Sequence, residues 1–273
     1  MRRSFKSNTV AYVLLIVIAI LWILPVLWMI LAALDGNANI FIKVPDRFTL
    51  ENFRTVISDT SNQQAMLNSL VLSLGVAFCV MVTSTLAGYF LSRCQSRISQ
   101  GYMLTILFMT TLPGTVLIVP IYKMFVTLRL YDNIGGIILF LSATTLPYSI
   151  WMMKNFMDNI PIEMEEAAAV DGAGNLAILW RVVTPLVLPG ICCVAIRSFS
   201  AAWGDFMTPY ILLSSSSKAT ASIKMYKYID AFSISYGNLA AFSMLYSLPS
   251  IFLYVLAQRF MSKGFSLSGA NKG

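Results

Sequence analysis

Runs such as "VLLIVIAILWILPVLWMILAAL" (residues 13–34) decide what this chain can fold into. A helix of about 20 residues spans a hydrocarbon core roughly 30 Å thick. Six apolar stretches of that order occur, at residues 10–34, 69–91, 102–126, 134–153, 182–203 and 239–260. A bilayer offers no hydrogen bonds to peptide groups, so a spanning segment must be a helix or a strand of a closed barrel. Barrel strands alternate polar and apolar residues; these runs do not. The expected fold is an all-α integral membrane protein, six transmembrane helices forming one domain over residues 1–273. Only 11% of residues are charged and the mean hydropathy is +0.74, both far from the soluble average.

Loop charge sets the orientation. Arg2, Arg3 and Lys6 lead the chain, Arg93 and Arg97 sit between the second and third runs, and Arg259, Lys263 and Lys272 close it, with no acid in any of the three regions. Basic loops stay in the cytoplasm, which puts both termini there and agrees with an even number of spans. The loops from Asp35 to Gln64 and from Gly204 to Asn238, the second carrying Asp205, Lys218, Lys224, Lys227 and Asp230, then face out. "SSSS" at Ser214–Ser217 is expected to be a flexible part of that outer loop. The first run exceeds the apolar core of a signal peptide, and "LAALDG" has no A-x-A cleavage site, so it is expected to remain as a span. Prolines interrupt five of the runs, and Gly75, Ala77, Ser84 and Gly88 line the second, a composition suited to close, kinked helix packing.

Several chemistries are excluded early. The chain has no histidine, which removes the commonest general base and metal ligand. Cys79, Cys94, Cys192 and Cys193 show no CxxC spacing, and read as small hydrophobes. A net charge of +7 fits basic membrane flanks better than nucleic-acid binding, since no aromatic–basic platform accompanies it. No phosphate-binding G-x-x-x-x-G-K-[ST] loop is present, and Gly135-Gly136 is an isolated pair. No catalytic, metal or cofactor site is expected within the chain.

One stretch stands apart. "IPIEMEEAAAVDGAGN", Ile160 to Asn175, holds four of the 12 acids: Glu163, Glu165, Glu166 and Asp171, with Asp158 just upstream. Pro161 suits the first turn of a helix, and the glutamates crowd its positive end. Gly172 can take the left-handed conformation that ends a helix, and Asn175 can cap a second one leading to Pro185 and the fifth span. Ile162, Glu166, Ala169 and Ala173 share one face. That face is either a docking surface, its alanines permitting close approach and its glutamate accepting a partner's arginine, or a solvated acidic helix.

"EEAAAVDGAG" followed by "VVTPLVLPG" resembles the EAA loop of permease subunits of binding-protein-dependent ABC importers, in which E-A-A, three residues and a glycine precede an I-x-L-P segment. Glu166, Ala167, Ala168 and Gly172 match; Val182 and Thr184 depart from the later isoleucine and leucine. "LPYSIWMMKNFMDNIPIEMEEAA", "WGDF" (Trp203–Phe206) and the terminal "GANKG" resemble the maltose-permease, MalG-like, branch, in the expected order. The resemblance implies a type I importer permease fold in a bacterial or archaeal cytoplasmic membrane. It further implies four partners: a second, homologous permease, two cytoplasmic ATPase subunits that bind ATP and magnesium, and an extracytoplasmic solute-binding protein. The 160–175 loop, with Glu165, Glu166, Ala167, Ala168, Asp171 and Gly172, would be the coupling helix seated in an ATPase cleft, and the tail Gly269–Gly273 would also touch the ATPases.

For the solute, Arg197 is the most informative residue. Counted from Val182 it lies about 22 Å into the fifth span, where an arginine snorkels to the interface, pairs with a carboxylate, or faces an aqueous pathway. In the third case it suits sugar hydroxyls or an acidic sugar's carboxylate. Trp203, Asp205, Phe206 and Tyr210 follow, the aromatic ones fitted to sugar stacking or to an interfacial belt. The expected cargo is a carbohydrate, neutral or acidic; a polyol, a glycerol phosphate and, less readily, a polyamine remain open. A membrane enzyme would need clustered intramembrane acids or cysteines, which are lacking, and a stand-alone channel or secondary transporter leaves the EAA-type loop unexplained.

Overall fold

The structure is a computed structural model that describes residues 5–94, 96–111, 114–229 and 234–269. The expected basic residues Arg2 and Arg3, Pro113, Asp230 and the tail beyond Gly269 lie outside the described residues. Among those described, secondary structure is helical, with two isolated bridges.

Four helices are long and apolar enough to cross a membrane: Ala11–Ala33, Thr60–Arg93, Ile134–Asp158 and Tyr236–Leu256. The fifth expected span is a bent pair, Asn175–Leu186 and Leu188–Gly204, turned by 80°. The third is not one helix but two, Arg97–Met109 and Ile118–Thr127, joined by a 3-10 turn at Gly114–Leu117. "TTLPG" between them carries a proline and a glycine, the two poorest helix formers.

The expected fifth span, residues 182–203, is thus broken at Val187. Pro189 lacks an N–H, and its ring excludes the carbonyl four residues earlier from a continuous helix, so the first helix stops at Leu186. The same proline is tolerated within the first turn of the next helix.

The described residues fall into two compact units, residues 1–63 with 224–248, and residues 64–223 with 249–273. In the first, Asn52 ties the end of the first helix by donating to the carbonyls of Ala33 (3.0 Å) and Asp35 (2.9 Å). Gly237 packs on this amide: a Cβ there would lie 2.6 Å from Asn52 Nδ2. The second unit has a core of Leu72, Val76, Ile137, Met153, Val183 and Val194, contributed by three spans and the loop segment. Its helices approach closely at glycines. A Cβ on Gly88 would stand 2.8 Å from Met153 Cβ and 3.1 Å from the backbone nitrogen of Lys154, so the second and fourth spans meet backbone to backbone.

The "SSSS" segment is tethered rather than flexible. Asp132, at φ 56°, accepts from the backbone N–H groups of Ser214 (3.0 Å) and Ser215 (3.1 Å), from the Ser215 hydroxyl (2.6 Å) and from Lys218 Nζ (2.8 Å). The Lys218 ammonium, then the Ser215 hydroxyl, hold the Asp132 carboxyl well below the usual carboxylate range. A carboxyl depressed in the folded state stabilises it at all pH above the unfolded value of about 4, and loses that contribution as pH falls below it. The melting temperature of Asp132→Asn should therefore lie below wild type at pH 7, and the gap should close on acidification below about pH 4. A gap constant from pH 7 to pH 3 would refute the clasp.

Candidate functional site

The acidic loop folds as two turns of helix, Glu163–Val170, followed by a sharp reversal. Gly172 has φ +86°; its N–H bonds the Ala169 carbonyl (3.0 Å) and the Ala173 N–H bonds the Ala168 carbonyl (3.0 Å). This is the glycine-ended pattern that satisfies the last carbonyls of a helix. The next helix begins at Asn175, with Gly174 as its cap and no side-chain capping bond, so Asn175 is the first helical residue and not the expected cap.

A Cβ on Gly172 would meet nothing within 4 Å, so a substitution there meets only backbone strain. Gly172→Val should lower stability by about 1–2 kcal/mol and Gly172→Asn by clearly less, since asparagine tolerates the left-handed region. Thermal unfolding in detergent reads the difference; equal melting temperatures for the two variants would contradict it.

The glutamates divide sharply. Glu163 and Glu166 are exposed, whereas Glu165 is 8% exposed and locked to the end of the second span. Arg93 donates to Glu165 Oε1 from Nη2 (2.5 Å) and Nε (2.9 Å), and the Tyr89 hydroxyl donates to Oε2 (2.8 Å). Arg93 also reaches the Ile160 carbonyl from Nη2 (3.4 Å). Beside it, the Ser92 hydroxyl donates to Asp158 Oδ1 (2.6 Å), whose Oδ2 accepts from Lys154 (2.6 Å). The loop helix is thus bolted through charge-assisted bonds to the second span, and that span to the fourth. A cavity of about 600 Å³ lies alongside, walled by Arg93, Ser99, Trp151, Lys154 and Asp158.

Sequence reasoning singled out Glu165 and Glu166 together and offered Glu166 to a partner's arginine. It missed Tyr89 and Arg93, which are four residues apart on one helix face at the membrane edge. Of the expected docking face, Ile162, Glu166 and Ala169 are exposed, while Ala173 packs into the core. Ala167 and Asp171 are exposed and Ala168 rests on the core. Around them Met164, Val170 (87% exposed), Leu176 and Trp180 present apolar surface.

The expected pathway residues part company. Trp203 is buried and stacks on Phe199 (centroids 5.5 Å apart), so it packs the core. Asp205 accepts from the Thr208 N–H (3.1 Å) and hydroxyl (2.7 Å), opening the Met207–Leu212 helix, and Phe206 stacks on Tyr210. Arg197 is exposed, its Cζ 4.1 Å from the centroid of the Tyr148 ring on the fourth span.

Residues 80–266 match the family described as binding-protein-dependent transport system inner membrane component. The chain is 31% identical over 229 residues to a putative ABC transporter permease protein from Streptomyces antibioticus, covering 84% of this chain and all of that one. It is 27% identical to the glucose import system permease protein GlcU of Saccharolobus solfataricus over the whole chain and 98% of the relative. In fold it is similar to a chain of a bacterial ABC transporter involved in import of the acidic polysaccharide alginate, with a TM-score of 0.83, 19% identity, and coverage of 95% of this chain and 99% of that one.

Proposed function

Since the chain belongs to the family of binding-protein-dependent transport system inner membrane components, we propose that it forms half of the translocation pathway of an ATP-driven carbohydrate importer. A second permease would complete the pathway through six crossings each, with both termini in the cytoplasm. An extracytoplasmic binding protein would deliver the solute, and two ATPase subunits would bind ATP and magnesium outside this chain. The glucose-system relative and the alginate-importer fold support carbohydrate as the cargo.

The observation that carries the coupling role is the loop helix itself. One side is anchored through Glu165 to Arg93 and Tyr89; the other leaves Glu166, Ala167 and Val170 exposed. A surface of small and apolar side chains edged by the exposed carboxylates of Glu163, Glu166 and Asp171 suits the cleft of another protein. ATP would favour the outward-facing state by contacts that differ between the two states, since binding alone shifts nothing. Purification of the tagged chain from its own membrane should recover an ATPase and a second permease, both lost on changing Glu166 and Gly172 together. Recovery of the chain alone under conditions that preserve such complexes would overturn the reading.

A further inference from the structure

Two exposed faces of the second unit differ in chemistry. On the second span the exposed large side chains are Leu67, Val71, Leu74, Phe78, Leu86 and Phe90, a surface matched to lipid. On Leu188–Gly204 the exposed residues are Leu188 at its start and then Arg197, Ser200, Ala201 and Gly204, the last four at spacings of three and four, and Thr144 and Tyr148 flank them on the fourth span. Hydrocarbon does not suit that second face.

The position of Arg197 sharpens the contrast. With the helix beginning at Leu188, Arg197 lies about 14 Å from one end and about 10 Å from the other, near its middle. Its distance from the Gly204 end is about 10 Å whichever residue the span is counted from, since the bend moves only the other end. One guanidinium face rests on Tyr148; among the described residues no carboxylate pairs with it, and the ion pairs there engage Lys43, Arg93, Lys154 and Lys218 instead. A guanidinium stacked in this way keeps its in-plane N–H donors available in a planar fork.

One helical turn towards the Gly204 end, a cavity of about 290 Å³ is lined by Thr144, Thr145, Ala201, Gly204 and Asp205. Thr144 donates to the Leu141 carbonyl (3.1 Å) and Thr145 to the same oxygen, which leaves their hydroxyl oxygens as acceptors. Asp205 adds carboxylate oxygens. Acceptors at this level suit the hydroxyls of a sugar ring, and the donor fork one turn deeper suits an anion.

We propose that Arg197, held over Tyr148, is the anion-selecting point of the solute pathway, and that the cargo is an acidic saccharide bearing a carboxylate or an equivalent oxyanion. The proposal rests on the carbohydrate-permease reading and adds charge to it. Arg197 grips the anion by paired charge-assisted hydrogen bonds while the ring hydroxyls meet the threonine and Asp205 oxygens.

The test uses the full importer in proteoliposomes with its binding protein, and a panel of saccharides in matched forms, such as cellobiouronate against cellobiose. Wild type should take up the uronate-bearing forms. Arg197→Gln should lower the ratio of acidic to neutral uptake about tenfold or more, the equivalent of one charge-assisted hydrogen bond, and Arg197→Lys should restore part of it. Co-purification of the partners reads assembly. Uptake of neutral saccharides alone, or an unchanged ratio in Arg197→Gln, would overturn this inference and leave the permease reading standing. Loss of the second permease from Arg197→Gln would also overturn it, making Arg197 an assembly contact. If no saccharide of the panel is taken up, the carbohydrate reading itself fails.

Discussion

Replacing Glu165 or Arg93 by alanine should lower the stability of the importer subunit by about 3 kcal/mol or more, and ATP-driven uptake should fall further than recovery of the complex. The two side chains are only 10% and 18% exposed, so deleting one leaves the other's charge largely out of water and unpaired. Removing the Tyr89 hydroxyl alone takes away one bond to a carboxylate that keeps its arginine, and Tyr89→Phe should cost about 1 kcal/mol. The charge reversal Arg93→Glu with Glu165→Arg should recover part of the loss, because the pair needs opposite signs but not a fixed order. Thermal unfolding in detergent and uptake in proteoliposomes give the two readouts. Stability losses that simply add in the double alanine variant would deny the coupling between the residues.

Gly88→Leu should prevent stable accumulation of the chain, with Gly88→Ala measurably destabilised. The first atoms a Cβ meets are Met153 Cβ at 2.8 Å and the backbone of Met153 and Lys154. A side chain can rotate aside, but a helix backbone cannot, so the second and fourth spans would have to separate. Overpacking of this kind costs about 1–3 kcal/mol for a methyl group and more for a larger one. Gly75 makes a useful contrast: the atoms nearest its Cβ would be those of the Ile138 side chain, the first at 2.7 Å, and Gly75→Ala should be the milder change. Separation would also pull the Arg93 end of one span away from the Lys154 end of the other, so coupling should fail together with folding. A Gly88→Leu protein accumulating and melting like wild type would refute the contact.

How much of this was legible in the sequence follows the range of the interactions. Spans such as Ala11–Ala33 and Ile134–Asp158 announce themselves because apolar length is a local property. The reversal at Gly172 was also legible, since only glycine adopts its φ without strain. The Arg93–Glu165 bond joins residues 72 apart and has no local signal. Asp132 and Lys218 likewise stand 86 apart, and without them a run of four serines reads as loose. Trp203 carried the signature of an interfacial aromatic, yet Phe199 one turn earlier covers it. The break at Val187 had no such signal, because the apolar run continues through it while the helix does not.

The 80° break at Val187 makes the segment a bell crank. Its short arm, Asn175–Leu186, is about 18 Å long, and its long arm, Leu188–Gly204, about 26 Å. A push delivered to the short arm becomes a swing of the long one about the knee. A 10° turn there would carry the Gly204 tip by about 4 Å and Arg197 by roughly 2 Å. That second distance separates a made hydrogen bond from a broken one, so, with Arg197 gripping the solute as proposed above, a small stroke at the loop would be enough to release it.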